Sequence, residues 1–253
     1  MESFDKLVWL MERLRSDAGC PWDRKQEVSA FKTFMLEEVY EIIEAIEKDD
    51  MKDLKEELGD LLFHIVFIAR ICQERNAFDI NDVIENVYHK MYNRHPHVFQ
   101  KEVLDAPIEV KWEDLKRKER QGQEYSLLAN IPPSMPALLR AYVITKRAAK
   151  VGFDWQKIGD VYDKMHEEIA ELRQAEGTGT QEHIKEEVGD LLFTIVNIAR
   201  FLSVDPEDAL RATSDKFTRR FSYIENNTDI RKADADTMDK LWNESKSLED
   251  KGG

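Results

Sequence analysis

Cysteine, glycine and proline are scarce in this sequence, and long apolar runs are missing from it. The 253 residues include 2 cysteines, 10 glycines and 7 prolines. Cys20 and Cys72 lack the spacing of a disulfide framework or a zinc site, which favours a reducing cytoplasm. The longest uncharged apolar run, residues 61–69, is far shorter than the roughly 20 residues of a membrane span. We therefore expect a soluble, cytoplasmic protein that does not enter membranes.

Positive charge is also in short supply. Lys and Arg together number 37, against 51 Asp and Glu, which gives a formal net charge of -14. A chain this acidic repels a phosphate backbone, so nucleic acid is excluded as a partner of the molecule as a whole. The same excess of carboxylates makes a metal cation the better candidate partner.

The spacing of the apolar residues predicts helices throughout the chain. Apolar side chains recur at helical intervals, and no segment has the sustained alternation of a strand. The fold class is therefore predicted to be all-α. A proline cluster at residues 131–136 interrupts helix near the midpoint of the chain. We accordingly predict an N-terminal module at residues 1–125, a linker at 126–136 and a C-terminal module at 137–253.

An internal repeat supports two modules of one kind. Residues 37–70 and 167–200, separated by a constant 130 positions, are identical at 17 of 34 positions. Unrelated helices would agree at only a few positions, so the chain contains a duplication. The two copies distinguish the residues that both modules retain from those that only one has. The acids are retained, whereas Thr194 stands at the position of His64.

The retained acids form two pairs in each module. They are Glu38, Glu41, Glu57 and Asp60 in the first copy, and Glu168, Glu171, Glu187 and Asp190 in the second. Residues three apart project from one face of a helix, so two adjacent helices would bring four carboxylates together. Hard oxygen donors of this number suit Mg²⁺ or Mn²⁺.

A single acidic pair is more often part of a solvated helix face, so the metal interpretation needs further support. The residues after Asp60, LLFHIVFIA, predict a helix that is buried nearly all round. Buried carboxylates that converge repel each other unless a cation compensates their charge. Because the arrangement also occurs twice at one offset, we predict a metal site in each module.

Each module also has a basic pair and a Trp–Lys pair, each with its members one helical turn apart. The basic pairs are Lys90 with Arg94 and Lys216 with Arg220, and the Trp–Lys pairs are Trp112 with Lys116 and Trp242 with Lys246. Such residues are usually surface cations and core aromatics. Beside an acidic metal cluster, the basic pairs become candidate phosphate clamps and the Trp rings candidate base-stacking surfaces. Asp205 and Pro206 predict the start of the helix that holds the second basic pair.

Other motifs of nucleotide or metal chemistry are weak or missing. His95 and His97 could ligate a transition metal, but the second copy has no such pair and no acidic or thiol partner is evident nearby. The sequence contains no phosphate loop, nucleophile elbow or dinucleotide fingerprint. Triphosphate chemistry in this chain would therefore depend on carboxylates and a metal.

Taken together, the motifs resemble those of two-module proteins of the MazG family. The resemblance rests on residues 19–23 (GCPWD), the acidic pairs, residues 94–99 (RHPHVF) and residues 151–155 (VGFDW), and it covers nearly the whole chain. It implies helical bundles that dimerise and hydrolyse nucleoside triphosphates to monophosphate and pyrophosphate with Mg²⁺. It also implies that the C-terminal module carries the activity.

The resemblance assigns roles to particular residues. The implied metal and catalytic residues are Glu168, Glu171, Glu187 and Asp190, and the implied nucleotide contacts are Lys216, Arg220, Trp242 and Lys246. We add Lys146 as a further substrate contact, because Lys146, Arg147 and Lys150 form a cationic run ahead of residues 152–155. One glutamate could act as general base; which one, and whether water attacks the α- or the β-phosphorus, stay open.

The same residues bear on two other functions and one state of assembly. A di-iron carboxylate bundle needs Glu-x-x-His motifs, which the acidic pairs do not contain. A helical scaffold or regulatory protein with a structural cation stays open as a non-enzymatic alternative. A homodimer is expected because so apolar a helix needs more cover than one small module provides. The other module of the same chain could supply that cover instead.

Overall fold

Helices account for all regular secondary structure in the residues that the computed structural model describes, which are 3–100, 115 and 126–249. The prediction of an all-α fold is therefore confirmed. The chain divides into two units, residues 1–118 and residues 119–253. Within the described ranges, no helix combines the length and the apolar character needed to cross a membrane.

The first unit is built around a long helical hairpin. Its helices are α1 (Ser3–Arg15), α2 (Pro21–Lys25), a 3-10 turn (Val28–Ala30), α3 (Phe31–Glu47), α4 (Met51–Glu74), α5 (Ile80–Arg94) and α6 (Pro96–Phe99). The main contact is between α3 and α4, and α1 packs against α4. Met11, Phe31 and Phe67 lie at the centre of the core, where together they bury a large apolar area.

The second unit repeats this hairpin. Its helices are α7 (Ala137–Ala149), α8 (Ile158–Thr178), α9 (Gln181–Phe201), α10 (Pro206–Asn227) and α11 (Ala235–Glu249). Here α8 packs along α9, α7 packs on α9, and α11 packs along α10. Val161 and Val196 are fully buried. The predicted start of α10 is confirmed, because Asp205 accepts hydrogen bonds from the backbone amides of Glu207 and Asp208.

The second helix of each hairpin begins at a side-chain cap. Asp50 accepts hydrogen bonds from the amides of Lys52 and Asp53 at the start of α4, and Thr180 accepts one from the amide of His183 at the start of α9. A cap of this kind contributes about 1 kcal/mol by satisfying amides that have no partner within the helix. The caps stand 130 residues apart, so both acid-bearing helices start at the same register.

An ion pair fixes the loop between α7 and α8 to the end of α9. Arg200 Nη1 donates to Asp154 Oδ2 at 2.9 Å, and its Nη2 group pairs with Asp154 Oδ1. The guanidinium beside Asp154 lowers the pKa of that carboxyl below its usual value. Gly152 has a φ of 85°, which permits the turn that brings Asp154 back to α9.

The prediction that α4 is buried nearly all round is wrong within its own unit. Leu58 is 50% exposed and Leu62 is 40% exposed. The equivalent positions on α9 are also exposed: Val188 at 41% and Leu192 at 48%. The sequence shows that a helix face is apolar, but it does not show whether the same chain covers that face. We call Leu58, Leu62, Ile65, Val188, Leu192 and Ile195 the apolar stripes of the two units.

Candidate active sites

The predicted acids converge where α3 faces α4. Glu38, Glu41 and Glu57 each place a carboxylate oxygen within 4.8 Å of the other two. Glu38 and Glu41 come from α3, and Glu57 comes from α4, so the hairpin itself assembles the cluster. Partial burial, followed by repulsion from Glu41 and Glu38, raises the pKa of Glu57. Three carboxylates in this arrangement could hold a hard cation.

The second unit contains the same cluster in a more enclosed form. Glu168 and Glu171 from α8, together with Glu187 from α9, satisfy the same 4.8 Å limit. Glu168 is 4% exposed and Glu187 is 8% exposed, whereas Glu171 is exposed. Desolvation raises the pKa of Glu171, and the neighbouring Glu168 and Glu187 raise it further, whereas Lys164 lowers it.

The fourth acid of each predicted set lies at the edge of its cluster. Asp60 and Asp190 are exposed, and neither belongs to the group of three mutually close carboxylates. Asp60 is close enough to Glu57 for its charge to raise the pKa of that residue. The assignment of Asp60 and Asp190 as metal ligands therefore stays a prediction, and both would have to turn towards their clusters to bind.

Each cluster has polar partners from within its own unit, and these partners differ between the copies. In the first unit, His64 Nε2 lies 3.1 Å from Glu38 Oε1, and the imidazole stacks on Phe34 at 5.7 Å. In the second unit Lys164, which stands at the position of Phe34, places Nζ 2.7 Å from Glu168 Oε1. Sequence reasoning missed these contacts because it followed the positions that the two copies share.

A further imidazole approaches the second cluster from its own helix. His183 Nε2 lies 3.0 Å from Glu187 Oε1, one turn away along α9. Lys164 also pairs with Glu167, at 2.8 Å. The carboxylates of Glu167 and Glu168 together raise the pKa of the Lys164 ammonium. The buried acids of the second unit are thus hydrogen-bonded and partly neutralised by the protein itself.

The α10–α11 hairpin brings predicted nucleotide contacts together. The Arg220 guanidinium lies 5.6 Å from the centre of the Trp242 ring, and Phe217 lies 5.2 Å from the same ring. Arg220 is nearly buried, and Trp242 is half-buried. Lys216 and Lys246 are exposed on the same two helices. The Arg220–Trp242 pair thus places a cation against an aromatic ring, and the nucleotide contact of these residues stays a prediction.

The matching residues of the first unit are only partly within the described ranges. Lys90 and Arg94 lie one turn apart at the end of α5. Trp112 and Lys116 fall outside the described residues, so their predicted role is not examined by the structure.

The cationic run before residues 152–155 has local partners. Arg147 Nη1 donates to the carbonyl oxygens of Leu127 and Ala129 at 3.2 and 2.9 Å, which ties α7 to the segment before it. The Lys146 ammonium lies 5.4 Å from the centre of the Tyr142 ring. Arg147 is therefore a structural cation, and the proposed substrate contact of Lys146 stays a prediction.

Two other features do not contribute to the acidic sites. His95 Nδ1 lies 2.6 Å from the carbonyl oxygen of Met91, which is a local bond at the end of α5. A cavity of about 350 Å³ lies between α7 and α9, with Leu138 and Val196 in its lining. Val196 stands nine positions after Glu187, which places the two side chains on opposite faces of α9. The cavity therefore faces away from the carboxylates.

Two helical units, each with three convergent carboxylates on a hairpin, define a tandem all-α protein with paired acidic sites. The model of the MazG nucleotide pyrophosphohydrolase domain matches this chain twice, at residues 26–99 and 156–224. The chain therefore belongs to the MazG family of nucleotide pyrophosphohydrolases, and it is an enzyme of that family.

Full-length relatives agree with this assignment. The nucleoside triphosphate pyrophosphohydrolase of Escherichia coli (strain K12) is 43% identical over 262 residues, covering 98% of this chain and 99% of the relative. The nucleoside triphosphate pyrophosphohydrolase/pyrophosphatase MazG of Thermotoga maritima is 43% identical over 250 residues, covering 96% of this chain and 95% of the relative. The resemblance noted from the motifs is therefore confirmed at the level of the whole chain.

Proposed function

We propose that the chain hydrolyses nucleoside triphosphates, including deoxynucleoside triphosphates, to monophosphate and pyrophosphate, with Mg²⁺ or Mn²⁺ held by the second carboxylate cluster. The observation that supports this most is the convergence of Glu168, Glu171 and Glu187 within 4.8 Å in a chain of the MazG family. The triphosphate substrate is taken from the names of the full-length relatives.

The donor set fits a hard divalent cation. Its ligand atoms are carboxylate oxygens, which Mg²⁺ and Mn²⁺ prefer. Burial, together with repulsion between the acids, raises the pKa values of Glu57 and Glu171, and a cation between the acids would relieve the repulsion. When bound, such an ion neutralises phosphate charge and lowers the pKa of a water molecule.

The side chains of the second unit have distinct tasks in this mechanism. The carboxylates hold the cation, and one of them accepts the proton of the attacking water. Arg220 donates hydrogen bonds to phosphate oxygens and stabilises the charge that develops on them. Trp242 offers a face on which the base can stack.

The second unit is the better candidate for the active module. Two of its three acids are buried, so a bound cation is shielded from solvent, whereas the first cluster is more open. An ammonium, Lys164, borders the second cluster, whereas the aromatic ring of Phe34 stands at that position in the first. A cluster with a permanent positive charge at its edge accommodates a polyanion better than one bordered by Phe34.

The test of this function is a product assay on the purified chain. Nucleoside and deoxynucleoside triphosphates are incubated with Mg²⁺, and the products are separated by ion-exchange chromatography. The proposal expects monophosphate and pyrophosphate in equal amounts. Release of orthophosphate with a diphosphate would contradict it. No turnover of any triphosphate, by folded protein, would favour the non-enzymatic scaffold.

We also propose that the chain forms a homodimer in which a second copy covers the apolar stripes. On α9 the stripe residues Val188, Leu192 and Ile195 lie four and three positions apart, so they share one helix face. Their exposed fractions are 41%, 48% and 44%. Contiguous apolar surface of this kind marks an interface more often than a solvated face.

Light scattering is expected to give twice the chain mass of 29.7 kDa at micromolar concentration. The Ile195→Glu variant places a charge in the stripe and should shift the mass towards the monomer. Leu202→Glu is the matched control, because Leu202 is exposed but lies outside the stripe. A monomeric wild type would refute the dimer and favour cover from within the chain.

A further inference from the structure

The last turn of α11 holds the guanidinium of Arg220. Arg220 Nε and Nη2 both donate to Glu249 Oε2, at 2.8 and 2.7 Å. The Arg220 side chain is 13% exposed and that of Glu249 is 33% exposed, so the pair is partly shielded from water. Arg219 adds a weaker contact, with Nε 3.8 Å from Glu249 Oε1.

Arg220 is therefore fixed on two sides. Glu249 binds one edge of the guanidinium, and the ring of Trp242 lies against it with 5.6 Å between the ring centre and Cζ. Phe217 in turn contacts Trp242 at 5.2 Å, which restricts the ring. A guanidinium with an occupied edge and a packed face has little freedom to rotate.

The edge of the Arg220 guanidinium that Glu249 occupies decides whether Glu249 orients Arg220 or competes with a phosphate for it. A guanidinium has five N–H donors, and a carboxylate on Nε and Nη2 leaves both hydrogens of Nη1 and one of Nη2. These remaining donors form the end-on edge, which can bind a phosphate in bidentate fashion. Glu249 thus leaves the donors needed for substrate, so it is placed to orient Arg220 and not to compete with a phosphate for it.

The same residue types recur in the sequence near the end of the predicted N-terminal module, residues 1–125. Glu119 stands 130 positions before Glu249, at the offset that relates Trp112 to Trp242. Both copies therefore read Trp-x-x-x-Lys-x-x-Glu. Residue 119 itself lies outside the described ranges.

We propose that Glu249 is a positioning residue that holds Arg220 ready for the phosphates of the substrate. This inference rests on the proposed function, because it takes Arg220 as a substrate contact. It predicts that the loss of Glu249 weakens triphosphate binding even though a negative charge has been removed. Simple electrostatics predicts the opposite, since removing an acid should favour a polyanion.

The test measures the binding of a non-hydrolysable α,β-methylene triphosphate by titration calorimetry in the presence of Mg²⁺. Glu249→Ala should raise Kd about tenfold, and KM by a similar factor, with kcat changed much less. Glu249→Gln should restore most of the affinity, because its amide oxygen can still accept from Nε. Glu244→Ala, at an exposed position of the same helix, should have no effect.

A double-mutant cycle separates positioning from a structural role. In an Arg220→Ala background, Glu249→Ala should cause no further loss of affinity, because its effect passes through the guanidinium. Tighter binding by Glu249→Ala, or unchanged binding with an unchanged melting temperature, would overturn the role of Glu249 and leave the proposed function standing. Equal losses in both backgrounds would also overturn it. Failure of the wild type to bind or hydrolyse any triphosphate would instead remove the proposed function.

Discussion

Glu187→Gln is expected to lower kcat at least about a hundredfold, because Glu187 is the carboxylate that α9 contributes to the second cluster. The change removes a charge at nearly constant volume. Steady-state kinetics at saturating Mg²⁺ would measure the loss, and thermal unfolding would show whether the fold is intact. Asp190→Asn should act in the same direction if Asp190 turns towards the cation.

Glu57→Gln is the matched control, since Glu57 stands 130 positions before Glu187 in the other copy. This variant, like Asp60→Asn, should keep more than half of the wild-type kcat and affect stability or assembly instead. If the Glu57 variant loses as much activity as the Glu187 variant while folded and dimeric, both clusters, or a shared one, are catalytic.

Removal of divalent metal is expected to abolish turnover. The carboxylates of either cluster repel a polyanionic triphosphate, so they can approach it only through a cation. Activity should fall to background in excess EDTA and return with added Mg²⁺ or Mn²⁺. Full turnover by protein whose metal content has been measured as negligible would eliminate the proposed mechanism.

A second measurement of metal binding, by thermal unfolding, does not depend on activity. A cation that binds only the folded chain raises the melting temperature, and at 100 times its Kd it contributes about 2.7 kcal/mol. The shift should be reduced in Glu187→Gln and retained in Glu249→Ala, because only the first residue belongs to a carboxylate cluster. An equal shift in Glu187→Gln and wild type would place the cation elsewhere.

Much of the architecture could be predicted because it depends on local rules. Helical periodicity gave the all-α fold, and the Asp205–Pro206 signal gave the start of α10. The constant offset of 130 led to all three acids of each cluster, because a pair on one helix face can meet an acid on the facing helix of its hairpin, and also to a fourth acid that lies at the cluster edge.

Two kinds of contact could not be predicted. One kind joins residues that are far apart in sequence, and the other involves positions at which the two copies have different residue types. Glu249 meets Arg220 across 29 positions, and only the α10–α11 packing brings them together. His64 and Lys164 reach equivalent glutamates from different helices, so no shared motif marks them. The exposed apolar stripes depend on what covers a helix, which periodicity does not reveal.

The polar partners within the clusters have a consequence for the folding of the chain. Lys164 and His183 already contact the two buried glutamates of the second cluster, and His64 contacts Glu38 in the first, so folding does not have to wait for a divalent ion. This differs from small zinc domains, in which metal uptake and folding are one event. Under the proposed metal dependence, a chain made without magnesium would fold and stay inactive, and added metal would activate it without new synthesis.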